Sequence, residues 1–125
     1  MTKVLLIDDE QPLLDALVDY LQADGIDVLA TTRLIEAEYA LTTTEFDVVL
    51  ADVHLSHSFG REGLALLKYV REVSPRTRVI LMTAYTSTAL EKEAHAAGAA
   101  LYLTKPFRVQ DLLQYLRALP PREDV

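Results

Sequence analysis

Three carboxylates, a hydroxyl and an ammonium stand at the ends of short apolar runs in this chain of 125 residues. Val4-Leu5-Leu6-Ile7 runs into Asp8-Asp9, and Val48-Val49-Leu50-Ala51 runs into Asp52. Val79-Ile80-Leu81-Met82 leads to Thr83, and Leu101-Tyr102-Leu103 leads to Thr104-Lys105-Pro106. Brought close together, Asp8, Asp9 and Asp52 repel one another, so they require a cation or raised pKa values. Hard oxygen donors favour Mg2+, which keeps several waters and takes one or two carboxylates with a phosphoryl oxygen. With phosphoryl charge offset in this way, a carboxylate can attack and form an aspartyl phosphate. Lys105 would pair with one phosphoryl oxygen and Thr83 would donate its hydroxyl to another. Phosphoryl transfer asks a protein mostly for positioning and electrostatics.

These residues reach one place only if the elements before them align. Apolar runs of this length, separated by helical stretches, read as strands of a parallel sheet covered on both faces. Such sheets bind ligands beyond the carboxyl ends of their strands. Pro12 suits the first turn of a helix whose stripe is Leu13, Leu14, Leu17, Val18 and Leu21, and Gly25 is placed to stop it. A strand is expected over Ile26 to Ala30, with Asp27 suggesting a sheet edge, then a weaker helix from Arg33 to Thr42. Leu64, Leu67 and Val70 mark a helix closed by Ser74-Pro75. Thr88 and Glu91 have capping-box spacing for a helix ending at Gly98. Leu112, Leu113, Leu116 and Leu119 mark the last helix, which Pro120-Pro121 stops. The expected fold is one doubly wound α/β domain over residues 1–120, with residues 121–125 as a C-terminal tail.

Composition narrows the function classes. Half the residues are apolar and a quarter charged, ordinary for a globular domain. No run approaches the roughly 20 apolar residues needed to span a bilayer, and Met1-Thr2-Lys3 leaves no room for a leader. With no cysteine, thiolate chemistry is excluded, and a cytoplasmic location is expected. The net charge of −7 argues against direct nucleic-acid binding and suits recruitment of a cation.

In its order of strand-end residues the chain resembles the phospho-acceptor receiver domain of two-component response regulators, over nearly its whole length. The resemblance implies a flavodoxin-like, five-stranded parallel sheet in the order 2-1-3-4-5 with five helices. It makes Asp52 the phospho-acceptor. Asp9 becomes a direct Mg2+ ligand, Asp8 acts chiefly through water, and the backbone carbonyl of His54 is a further ligand. Thr83 becomes the switch hydroxyl, and small Ala84 leaves room for the phosphoryl group and offers an N–H. Lys105 becomes the phosphoryl-binding lysine, its bond to Pro106 cis, and Tyr102 the switch aromatic. The implied donor is a phosphohistidine on a sensor histidine kinase or phosphotransfer protein. The implied output is a downstream effector or a homodimer, through the last helix-strand-helix face. No enzyme activity is implied beyond the domain's own phosphorylation and dephosphorylation.

Taken singly, each residue has a plainer reading: a solvated turn or helix cap for Asp8-Asp9, backbone capping for Thr83, packing for Tyr102. The plainer reading of His54 and His57 is solvated loop, and of His95 an exposed helix position. Two departures from the family pattern stand out. Ser56 occupies the usual proline position four residues after the acceptor, and Glu62-Gly63 comes later than expected, so the loop from Val53 to Glu62 is long, with Phe59 at its tip. Ala99-Ala100 replaces residues that are acidic in many receivers. Of the rivals, a haloacid-dehalogenase-type phosphohydrolase needs two aspartates separated by one residue, whereas Asp8 and Asp9 are adjacent. A degenerate receiver, acting as an unphosphorylated interaction module, is disfavoured by the intact acidic set. A flavodoxin-like cofactor binder lacks a phosphate-cradling cluster in the first loop.

Overall fold

The computed structural model describes residues 1–55 and 60–120. Strand and helix alternate as β1 (Lys3–Ile7), α1 (Gln11–Ala23), β2 (Asp27–Thr31), α2 (Leu34–Thr43) and β3 (Val48–Asp52). The second half continues with α3 (Glu62–Val73), β4 (Arg78–Thr83), α4 (Thr88–Ala96), β5 (Leu101–Thr104) and α5 (Val109–Arg117). The five strands form one parallel sheet in the order β2-β1-β3-β4-β5, as the resemblance implied.

Burial explains why β1, β3 and β4 are so apolar. Side chains alternate between faces along a strand. Leu5, Ile7, Val49, Ala51, Val79 and Leu81 enter the core that α2, α3 and α4 complete. Val4, Leu6, Val48, Leu50, Ile80 and Met82 enter the opposite core with Leu14, Leu17 and Leu21 of α1 and Leu112, Leu113 and Leu116 of α5. Both faces being covered, β1 and β4 are apolar from just after their first residues, Lys3 and Arg78, and β3 from its start, until each strand nears its carboxyl end. At the edge, Asp27 of β2 is exposed, as its charge suggested.

Most helix boundaries fall where local chemistry puts them. Pro12 lies in the first turn of α1, and Gly25 beyond its end has φ +79°, where a side chain would be strained. Ser74 caps α3 at its C-terminus. Two expectations need correction. Thr88 does not cap α4: Ser87 does, its hydroxyl accepting from the Leu90 N–H at 3.0 Å, because the chain is extended at Ser87 and already helical at Thr88. Leu119 lies beyond α5, which ends at Arg117 with Ala118 as its C-cap. Ser56, His57 and Phe59 of the long loop, and the tail at 121–125, lie outside the described residues. Among the described residues, no helix is long and apolar enough to cross a membrane.

Candidate functional site

Parallel pairing brings the ends of β1, β3 and β4 level, with Ile7 opposite Ala51 and Asp52 opposite Met82. The residues that follow therefore emerge side by side. Asp8, Asp52 and Thr83 are all buried, while Asp9 is half-buried and Ala84 exposed. The β5–α5 turn carries Lys105 back across them, its backbone N–H donating to the Thr83 carbonyl at 2.8 Å. The Lys105–Pro106 bond is cis.

Lys105 is the hub. Its Nζ lies 2.5 Å from Asp52 Oδ2, 2.7 Å from Asp8 Oδ2 and 3.3 Å from Glu10 Oε1. Only 10% of its side chain is exposed, so its pairs with buried Asp8 and Asp52 act where solvent screens little, whereas Glu10 faces solvent. Burial pushes the Lys105 pKa down, but hydrogen bonds to Asp52 and Asp8, with their charges, outweigh it, and the ammonium is held above the ordinary lysine value. Burial raises the Asp8 pKa; the Lys105 hydrogen bond and the Glu10 N–H oppose that rise without cancelling it.

Backbone amides orient the remaining lone pairs. The His54 N–H donates to Asp52 Oδ1 at 2.7 Å, and the Glu10 N–H to Asp8 Oδ1 at 2.8 Å. The Tyr85 N–H donates to Thr83 Oγ1 at 2.9 Å, leaving the hydroxyl proton to be given elsewhere. Asp8, Asp9, Glu10 and Asp52 can each turn one oxygen into a space where all lie within 4.8 Å of one another. A cluster of hard carboxylate oxygens suits Mg2+ or Ca2+ and offers no soft donor.

Two features went beyond the sequence reading. Glu10 joins the cluster and touches Lys105; its position directly after Asp8-Asp9 was the available signal. Gly63 matters for space. A Cβ there would lie 2.1 Å from the Asp52 carbonyl oxygen and 2.7 Å from Val53 Cα, so α3 packs against the end of β3 at a distance only glycine allows. The expectation for His54 is corrected: its ring is not solvated. Nδ1 hydrogen-bonds the Gly60 carbonyl at 2.8 Å, Nε2 is buried, and the ring meets Tyr85 edge-on with centroids 5.6 Å apart. His95 is exposed as expected, near Glu91 on the same helix. Tyr102 is half-buried against the α2/α3/α4 core, and its hydroxyl shares a 2.8 Å hydrogen bond with Thr86 Oγ1.

Residues 4–117 match the family model described as the response regulator receiver domain. The chain is 38% identical over 111 residues to the response regulator protein FleR of Pseudomonas aeruginosa, covering 89% of this chain and 23% of that one. It is 36% identical over 120 residues to the response regulator protein PmrA of the same organism, covering 96% of this chain and 53% of that one. The chain thus spans about half the length of PmrA and less of FleR. Among solved structures, it resembles a response regulator from Burkholderia pseudomallei at TM-score 0.84 and 27% identity, over 94% of this chain and 68% of that one. That structure holds a phosphorylated aspartic acid, a calcium ion and citrate.

Proposed function

The chain belongs to the response regulator receiver domain family and is a receiver of two-component signalling, and on that premise we propose that Asp52 is its phospho-acceptor. The observation that carries this assignment is the placement of Asp52 at the centre of the cluster. It is buried, with Oδ1 held by the His54 N–H and Oδ2 by Lys105. A carboxylate oxygen of Asp52 attacks the phosphorus of a phosphohistidine. The new O–P bond forms as the N–P bond breaks, and its electron pair leaves with the imidazole. No general base is required, because the nucleophile is a carboxylate.

Asp8, Asp9, Asp52 and the His54 carbonyl are the residues that would hold Mg2+, with Asp9 in direct contact and Asp8 chiefly through water. When bound, the ion offsets the negative charge of the incoming phosphoryl group. Lys105, now on the carboxylates, transfers its contact to a phosphoryl oxygen. Thr83 gives its hydroxyl proton to another, and Ala84 leaves room and offers its N–H. As Thr83 turns inward, Tyr102 gives up Thr86 and fills the vacated space. That changes the surface formed by α4, β5 and α5.

On this reading the domain is a switch that catalyses only its own phosphorylation and dephosphorylation. Its proposed place is the cytoplasm, its proposed donor a sensor histidine kinase or phosphotransfer protein, and its proposed output an effector or a second copy bound at the changed surface. Acetyl phosphate with Mg2+ should add one phosphoryl group by intact mass, and Asp52→Asn should abolish the addition. Full labelling of that variant would move the acceptor elsewhere. Asp9→Asn should lose Mg2+ affinity, whereas Lys105→Ala should keep the metal and lose phosphorylation or its coupling to Tyr102.

A further inference from the structure

The loops that leave Asp52 and Thr83 are joined twice. Near the site, the His54 ring meets Tyr85 edge-on. Far from it, Arg61, directly before α3, places Nη1 2.7 Å from Oε1 of Glu93 on α4, across 32 residues of sequence. The chain thereby closes a ring: Asp52, His54, Gly60, Arg61, Glu93, back along α4 to Ser87, then Tyr85 and Thr83. Every member is tied to the next, by the chain itself or by a contact. His54 donates its backbone N–H to Asp52, and its ring nitrogen bonds the Gly60 carbonyl. Ser87 caps α4, and the Tyr85 N–H holds the Thr83 hydroxyl.

α4 is the part of this ring with little else to hold it. It buries Leu90 and Ala94, whereas α3 buries Gly63, Leu64, Leu66, Leu67 and Val70. Few buried contacts mean a low free energy for local displacement. We infer that the Arg61–Glu93 pair is a latch that fastens α4 to the loop leaving the acceptor, and so sets how readily the Thr83 side of the site reorganises. The inference rests on the reading of Thr83 as the switch hydroxyl. In the latched arrangement Lys105 lies on Asp52 itself and Thr83 is engaged by Tyr85. A phosphoryl group on Asp52 needs both residues, so it favours the other arrangement and must work against the latch. Coupling of this kind is reciprocal.

Both partners are about half exposed, with side-chain accessibilities of 49% and 41%. Pairs of that kind are modest, so the latch tunes the equilibrium and does not lock it. The test uses the full chain with Arg61→Gln, Glu93→Gln and the double exchange Arg61→Glu/Glu93→Arg. Hydrogen exchange of the Leu90 and Ala94 amides, measured without any phosphodonor, should speed up about two- to five-fold in each single variant. Affinity for beryllofluoride with Mg2+, a phosphoryl mimic, should tighten by a similar factor, and the double exchange should restore both values. The single-variant effects should shrink in high salt, as expected for an exposed charge pair. Unchanged exchange in the single variants, or a double exchange that restores nothing, overturns the latch. Faster exchange with unaltered beryllofluoride affinity overturns its coupling to the site. Failure of the parent chain to bind beryllofluoride refutes the acceptor reading and the coupling with it, while the exchange measurements still judge the latch itself.

Discussion

The two ends of the sheet solve the problem of buried polar groups in opposite ways. At the amino end, Thr77 is buried and donates its hydroxyl to the Phe46 carbonyl at 2.7 Å, with Ser74 Oγ 2.6 Å away. Asp47, half-buried there, accepts the Lys3 N–H at 2.8 Å. Donors and acceptors match without requiring any charge to be buried against a like one. At the carboxyl end, Asp8 and Asp52 are buried together, with the Lys105 ammonium between them. Like charges at short range with one shared counter-ion are a poor arrangement for folding alone. The amino end is built for stability; the carboxyl end keeps an electrostatic deficit that a cation and a phosphoryl group together can complete.

The largest effect should come from the point where packing and chemistry meet. Gly63→Ala places a methyl group 2.1 Å from the Asp52 carbonyl oxygen, against backbone that cannot swing aside. Overpacking of this severity should cost about 3 kcal/mol or more in urea denaturation. It should also slow phosphorylation by acetyl phosphate, since β3 must shift. A variant that folds and phosphorylates like the parent would mean that α3 adjusts independently of β3.

The next test belongs to the opposite end. Thr77→Val keeps the shape and removes the buried hydroxyl that serves the Phe46 carbonyl. Denaturation should show a loss of about 1–3 kcal/mol, with Mg2+ affinity and phosphorylation unchanged. A change in either would show that the two ends are coupled through the sheet.

The division between the ends also explains what could be read in advance. The strands of the sheet centre were legible because burial on both faces demands unbroken apolar runs. The site was legible because a parallel sheet delivers whatever follows those runs to one edge. Asp8, Asp52, Thr83 and Lys105 meet for that reason. Gly63 was legible as a residue but not as a contact, since its importance lies in an approach between α3 and β3 that no periodicity encodes. His54 read as a solvated loop residue because its partner, the Gly60 carbonyl, is backbone and leaves no mark in side-chain chemistry. The cap of α4 was misplaced by one residue because Ser87 and Thr88 are both good capping residues, and only the backbone turn selects between them.

That cap offers a third, smaller test. Among the described residues, Ser87 is the one N-cap whose side chain bonds its helix. It serves the helix that follows Thr83. Ser87→Ala should cost about 1 kcal/mol, felt mainly as faster amide exchange in α4 while α1 remains protected. Equal loss of protection in both helices would mean that α4 does not open on its own, and the carboxyl end would be more rigid than its sparse anchoring suggests.

The smallest expected effect has the opposite sign, and it tests the contrast between the two ends most directly. Asp8→Asn removes a buried charge whose pKa burial holds above the ordinary carboxylate value. A raised pKa means the folded state binds the proton more tightly than the unfolded chain does. The stability from neutral Asp8 is therefore complete below the unfolded pKa and is lost as pH rises through the folded one. An asparagine never ionises and suffers no such loss. The Tm of Asp8→Asn should accordingly match the parent's at acid pH and exceed it as pH climbs from below the ordinary carboxylate value toward neutrality, while Mg2+ binding weakens. The Lys105 contact works against this gain, which is why the effect should be small: the variant also removes one of the ammonium's two buried partners. A Tm at neutral pH below the parent's would show that Asp8 is kept for its hold on Lys105 and stabilises the fold. The carboxyl end would then resemble the amino end, its polar groups matched and its charge in balance.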